Sequence, residues 1–244
     1  MARQPVVGAD SNAWGTVLNA YLSVALNADG SIRNLFYNVK DPAYGAKGDG
    51  TTDDTAAIQA AITAAQNAGG GFVLLPPSTY IISSPLTITA DNISLVGMGE
   101  SSILTPAAGF SGAAMIYYAG GTGIHRLTIK DISLWGSSGT YSSNPACDGI
   151  QLNSDAEDTI IDNVHFRALN GWAVNMLAGS TGFIGYTNMV NCVSKTGKQG
   201  FHFQSTVPGT NRSGGILMTN CVADTASIYP RSHTLISRPR KWSN

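Results

Sequence analysis

Four stretches of this chain can be laid on one another: Leu-Thr-Ile-Lys-Asp-Ile-Ser-Leu-Trp from Leu127, Thr-Ile-Ile-Asp-Asn-Val-His-Phe-Arg from Thr159, Thr-Asn-Met-Val-Asn-Cys-Val-Ser-Lys from Thr187, and Ile-Leu-Met-Thr-Asn-Cys-Val-Ala-Asp from Ile216. Their starts lie 32, 28 and 29 residues apart. A second series, Gly149-Ile-Gln-Leu, Gly171-Trp-Ala-Val and Gly200-Phe-His-Phe, interleaves with the first, and Ala226-Ser-Ile-Tyr opens its next member. Short strands that recur once per repeat of this length are the mark of a solenoid, because one repeat cannot bury its own apolar face.

In a parallel solenoid each rung stacks about 4.8 Å above the last, so aligned residues become neighbours. Ile132, Val164, Cys192 and Cys221 are then expected to form an inward apolar stack. One position earlier, Asp131, Asn163, Asn191 and Asn220 form a polar ladder in which side-chain amides bond along the stack and tolerate a bend. Lys130 facing Asp162 one rung on is expected to make an ion pair.

Composition agrees with many short strands. Only 12% of residues are charged, about half the share usual in globular chains, and 28 are glycine. The net charge of −1 offers no field for nucleic acid or an acidic membrane surface, and no run of 18 apolar residues suggests membrane insertion. Three cysteines, Cys147, Cys192 and Cys221, without CxxC spacing, argue against a disulfide framework or a zinc site, so no metal site is assigned.

Ahead of the repeats, Thr52 is placed to cap a helix over 53–67. Asp53 and Asp54 lie at its positive end, and Ile58, Ala61, Ile62 and Ala65 recur on one face. Gly69-Gly70-Gly71 ends it, and Phe72-Val-Leu-Leu-Pro-Pro follows as a strand stopped by prolines. The whole stretch from Asp41-Pro-Ala-Tyr-Gly-Ala-Lys-Gly-Asp-Gly-Thr-Thr-Asp-Asp to Ile62, with the Gly97-Met-Gly-Glu turn and the repeats, resembles the pectate-lyase-like superfamily. The resemblance implies an all-β fold, a right-handed parallel β-helix with a capping helix, over residues 37–229. It also implies glycans as ligands, as in polysaccharide lyases and hydrolases and in bacteriophage tail spikes. It ends after Tyr229, and the basic stretch 230–244 carries no repeat.

Residues 1–36 form a different unit. Trp14, Val17, Leu18, Tyr21 and Leu22 fall on one helical face. The segment resembles the attachment module at the front of phage tail proteins, which implies docking to tail or baseplate proteins and, with the exposed stripe, a homotrimer. The amino terminus lacks the apolar core of a secretory signal, which suits a virion tail component better than the alternative, an extracellular enzyme.

A glycosidase needs carboxylates about 5 to 5.5 Å apart if retaining and about 6.5 to 9.5 Å apart if inverting, close to one or two rungs. No acid recurs at an outward ladder position, and Asp148 is aligned with Asn170 and Gln199. The remaining candidates are Asp148, Asp155, Glu157 and Asp158, which bind calcium, hold a general acid or solvate a loop. No other cofactor is suggested. A lyase base would come from Arg167, Lys195 or His202. Gln151, Asn175, His202 and Gln204 can line a sugar-binding face, with Trp135 and Tyr141 stacking on sugar rings. Trp172 is read as core. Three functions follow: a tail-spike or tail-fibre protein that binds host cell-surface polysaccharide, with or without cleaving it; a secreted polysaccharide lyase or glycoside hydrolase; and a non-catalytic structural subunit of a phage tail or contractile particle.

Overall fold

The computed structural model describes residues 36–119, 124–138, 140–153, 156–178, 184–205 and 215–225. The attachment stripe at Trp14, Val17, Leu18, Tyr21 and Leu22, Asp155, and the basic stretch 230–244 lie outside the described residues.

The described chain winds through three long sheets, and every strand pair in them is parallel. Sheet 1 stacks β1 (Phe36–Asn38), β3 (Gly71–Leu74), β6 (Ile93–Val96), β10 (Thr128–Lys130), β14 (Ile160–Asp162), β18 (Thr187–Val190) and β21 (Ile216–Thr219). Sheet 2 stacks β2 (Asp49–Asp53), β4 (Ser78–Ile82), β7 (Ser102–Pro106), β11 (Ser133–Trp135), β15 (His165–Arg167), β19 (Val193–Gly197) and β22 (Val222–Thr225). Sheet 3 stacks β5 (Leu86–Ile88), β8 (Ala114–Ala119), β12 (Asp148–Asn153), β16 (Trp172–Ala178) and β20 (Gln199–Ser205). A smaller sheet joins β9 (Ile124–His125), β13 (Ala156–Glu157) and β17 (Ile184–Gly185). Chain order visits the sheets in rotation, which is a parallel β-helix.

The core is the column between the sheets. Ile132, Val164 and Cys192 are fully buried one above another and Cys221 is half-buried, as the aligned segments predict. Apolar partners on consecutive rungs repeat this in sheet 1, where Leu95, Ile129, Ile161 and Met189 are in register and inaccessible. At about 25 cal/mol per Å² of apolar surface, such columns are the main favourable contribution to the fold.

The corner between sheets 1 and 2 is the predicted polar ladder. Asp131, Asn163, Asn191 and Asn220 all take left-handed backbone angles, φ of 55°, 51°, 53° and 55°. Asn and Asp tolerate that region better than other side-chain-bearing residues. Asn163 Nδ2 donates to Asp131 Oδ1 and Asn220 Nδ2 donates to Asn191 Oδ1, each at 2.8 Å. Lys130 departs from expectation: it sits in register with Asp162, yet its ammonium pairs with Asp131 at 3.2 Å. Because Asp131 heads the ladder with a carboxylate where the later rungs have amides, it draws the nearby cation.

The solenoid's first strands lie ahead of the helix. Two strands, β1 and β2, precede the helix and pair with β3 and β4. The Asp49-Gly-Thr-Thr-Asp stretch of β2 lacks apolar residues, although Thr52 within it is placed by the sequence to cap the helix. Its irregular register with β4 and the Asp49 carboxylate accepting from Thr51 N and Thr52 N show a strand bent by an Asx turn. Helix α1 then runs Thr55–Asn67, with Asp54 rather than Thr52 at its N-cap. The Asp54 side chain bonds no helix amide; it accepts from Lys47 N at 2.6 Å and Gly48 N at 2.9 Å, fixing the preceding turn. Gly48 adopts φ 61°, and a Cβ there would lie 2.6 Å from Ser78 Cβ, so that turn requires glycine.

α1 buries Ile58, Ala61, Ile62 and Ala65 completely and packs on β1, β3, β5 and β6. Its polar side covers the edge of sheet 3. Gln59 Nε2 donates to Thr87 O at 3.0 Å while Gln59 Oε1 accepts from Thr87 N at 2.8 Å, the pair of bonds a neighbouring strand would make. Gln66 Oε1 accepts from Thr89 N in the same way.

Candidate functional site

Among the described residues, sheet 3 carries the largest concentration of predicted site residues. Within it Ile116, Ile150, Val174 and Phe201 are in register and belong to the core, as do Tyr118, Leu152 and Met176. The residues between them form the alternate row Tyr117, Gln151, Asn175 and His202. Gln151 and Asn175 are buried and His202 half-buried, so this is a sheltered polar face. Asn153, two residues further along β12, donates from Nδ2 to the Tyr117 hydroxyl at 3.0 Å.

At the near end of β12 and β16 the row becomes a connected relay. Asp148 is buried, and its Oδ1 accepts from Trp172 N at 2.7 Å. Its Oδ2 accepts from Asn175 Nδ2, also at 2.7 Å. That bond turns Asn175 so that its Oδ1 lies 2.8 Å from His202 Nδ1. An amide oxygen only accepts, so Nδ1 carries the hydrogen and donates, which leaves the lone pair of neutral His202 on Nε2. The His202 ring stacks on the Trp172 indole, centroids 4.5 Å apart and planes 15° from parallel. Trp172 is therefore not the core residue predicted; it is half-buried and supports the imidazole.

Burial pushes the Asp148 carboxyl above its ordinary value, opposed by the Asn175 and Trp172 hydrogen bonds and by His202. Gly171 allows the chain to pass this carboxylate, since a Cβ there would come 2.6 Å from Asp148 Oδ1 and 2.4 Å from Cys147 O. The neighbouring Cys147 thiol is pushed up to about 12, mainly by burial, and stays protonated.

Of the predicted acidic group, Asp148 enters this arrangement, and Asp158, the other one whose side chain is described, does not. Asp158 is exposed, at φ 53°, beyond the far end of β12, about 16 Å of strand away. The Glu157 backbone lies in β13, and the Glu157, Tyr141 and Gln204 side chains lie outside the described residues. Among the described residues no three His, Cys, Asp or Glu side chains gather as a metal cage. Trp135 sits on sheet 2, half-buried beneath the Arg167 guanidinium. His165 pairs with Glu100 at 3.2 Å.

Register corrects one alignment. Gly149 and Gly200 share a rung position with Ala173, not with Gly171, and the position above Asp148 is Trp172 rather than Asn170. Tyr117 and Asn153 were missed as members of the face. β8 lacks the glycine that marked the other members of the series, so nothing in its sequence flags Tyr117.

Known proteins share this fold and part of this sequence. Alginate lyase 7 of Azotobacter vinelandii is 44% identical over 110 residues, 41% of this chain and 13% of that protein. Mannuronan C5-epimerase AlgE1 of the same organism is 35% identical over 156 residues, 56% of this chain and 10% of that one. The matched stretch is thus a small part of these relatives. Among solved structures, the A-module of A. vinelandii mannuronan C-5 epimerase AlgE4 superposes with a TM-score of 0.52 at 26% identity, covering 78% of this chain and 57% of its own. Geobacillus virus E2 ORF18 gives 0.54 at 23% identity, over 77% and 42% respectively, a likeness of fold alone. The model for "Rhamnogalacturonase A/epimerase, pectate lyase-like" matches residues 36–227, and the chain belongs to that family.

Proposed function

We propose that this chain binds a polysaccharide along the outer face of sheet 3, and that it does so as the receptor-binding part of a virion tail spike or tail fibre. The observation that carries the reading is the Tyr117, Gln151, Asn175 and His202 row, which lines up planar amides, a hydroxyl and an imidazole at rung spacing. Relatives whose names specify alginate and mannuronan support a glycan ligand. Attachment through residues 1–36, a homotrimer and a host-surface glycan belong to the same proposal.

A second reading, modification of the bound glycan, is favoured by the relay. Asp148 and Asn175 hold His202 with its Nε2 lone pair free to take a proton, and no described residue bonds that nitrogen. A carboxylate pair shared by Asp148 and Asp158 is not favoured, because the strand β12 separates them.

Affinity electrophoresis of the whole chain through gels loaded with bacterial surface polysaccharides and with alginate tests the reading. Retardation by at least one polymer, lost in Asn175→Leu, is expected. Equal retardation of wild type and Asn175→Leu moves the site off sheet 3, and no retardation by any polymer ends the reading. New reducing or unsaturated ends in the retained polymer decide for modification.

A further inference from the structure

A second outward row climbs sheet 2, one sheet away from the polar face. Trp135, Arg167 and Lys195 are register partners on β11, β15 and β19, so they follow one another at about 4.8 Å intervals. The Arg167 guanidinium lies over the Trp135 ring, 5.3 Å from its centroid. Arg167 and Lys195 are exposed and neither makes an ion pair with a described carboxylate; the row continues beyond Lys195 to Asp224, its register partner on β22. In a chain with so few charges, two adjacent cations against one carboxylate leave a net positive potential, and it centres on Arg167, two rungs from Asp224.

Beside this row opens a cavity of about 270 Å³, lined by Trp135, Gly136, Ser137, Ser138, Arg167 and Ala168. Its wall is held from within by Asn144, which is buried. Asn144 Nδ2 donates to Ser138 O at 3.0 Å and Ala168 O at 2.6 Å. Asn144 Oδ1 accepts from Ser138 N at 2.6 Å and Ser137 Oγ at 3.1 Å. Gly136 makes this possible: a Cβ there would lie 2.1 Å from Asn144 Nδ2 and 2.4 Å from Ala168 O. The cleft is therefore shaped before anything enters it.

The Trp135 ring steadies the guanidinium that lies over it, a guanidinium takes a carboxylate or sulfate through two parallel bonds, and an ammonium one rung on adds a point charge. We infer that Trp135, Arg167 and Lys195 form an anionic-sugar subsite that holds a carboxylate- or sulfate-bearing residue of the polysaccharide. This rests on the polysaccharide-binding reading above and adds the charge of the ligand and a second contact surface to it.

Calorimetry on the whole chain with tetragalacturonate, its methyl ester and a sulfated galactose tetrasaccharide tests the subsite. The acidic probes should bind at least about tenfold more tightly than the ester, with affinity falling as salt rises. Arg167→Gln should abolish that preference, Lys195→Gln should reduce it about threefold, and Arg167→Lys should retain part of it. Preference among the two acidic probes identifies carboxylate or sulfate as the recognised group. Neutral and acidic probes bound equally, or an Arg167→Gln variant with wild-type circular dichroism and unchanged preference, overturns the subsite while leaving polysaccharide binding intact. If none of the probes binds and no polymer retards the chain, both readings fall.

Discussion

The corner of Asp131, Asn163, Asn191 and Asn220 and the face of Gln151, Asn175 and His202 both set polar side chains on successive rungs, yet only the corner is uniform. There each rung repeats an Asx residue in the same left-handed backbone, and the side chains bond in two pairs, Asn163 to Asp131 and Asn220 to Asn191. On sheet 3 every rung differs, a buried carboxylate ends the row, and the bonds run toward one imidazole. Regular repetition satisfies the backbone at a bend. The irregular row spends its hydrogen bonds on orienting one side chain, which shape alone does not require.

The comparison breaks most visibly at Asn175. Asn175→Leu strips a donor from buried Asp148 and an acceptor from His202 Nδ1, and should cost about 3 kcal/mol in urea unfolding. A loss no larger than that of a corner variant would mean the relay is no tighter than the corner.

At the corner, Asn163→Ala combines left-handed strain with the loss of the side-chain bonds to Asp131 Oδ1 and His165 Nε2, about 2 kcal/mol together. Asn163→Gly removes only the bonds and should recover about half of that. Equal losses in the two variants would show that the amide alone, not the backbone angle, sets the bend.

Asp148→Asn is subtler, costing about 1 kcal/mol. The new side chain can still accept from Trp172 N, but its own amino group then meets Asn175 Nδ2, so Asn175 must turn over. Its amino group would face His202 and shift the ring hydrogen from Nδ1 to Nε2, readable in nitrogen-15 NMR; an unshifted tautomer would dissolve the relay. The pH dependence has a definite sign. Burial raises Asp148 above 3.8, so the folded chain keeps this proton longer than the unfolded chain. The stability it contributes is complete below 3.8 and lost as pH rises through the folded value, so wild type should lose stability relative to Asp148→Asn across that window. Asp53, lowered first by Ser83 and then by Thr55, works the other way, losing its contribution as pH falls.

The smallest effect concerns the cysteines that follow the corner residues. Neighbouring Cys192 holds the half-buried Cys221 thiol below its ordinary value, whereas burial raises Cys147 to about 12. Iodoacetamide at neutral pH should label Cys221 first and leave Cys147 intact, as mass spectrometry of the peptides would show. Labelling of Cys147 first would contradict the burial of that rung.

The corner was legible in the sequence because its signal is periodic: one Asx residue, one apolar residue, repeated four times. Sheet 3 was harder to read because the loops feeding it differ in length, which hides register. Gly149 and Gly171 look equivalent in the sequence but serve different neighbours, one close to Phe166 and Leu169, the other passing Asp148. The individual members Asp148, Asn175 and His202 were legible as polar residues on short strands. Their connection was not, since it depends on which amide edge faces which rung. β2 was illegible for a third reason: side-chain bonds from Asp49, not strand propensity, shape it.

The Gln59 amide on β5 has a consequence for how copies of this chain can meet. A sheet edge is a template, and its first free amide and carbonyl are where a foreign strand would begin to zip. Here that first rung of the zipper is already closed from within by one side chain. A strand from another molecule would have to evict Gln59 before making its first bond, so end-on polymerisation through this edge of sheet 3 starts uphill.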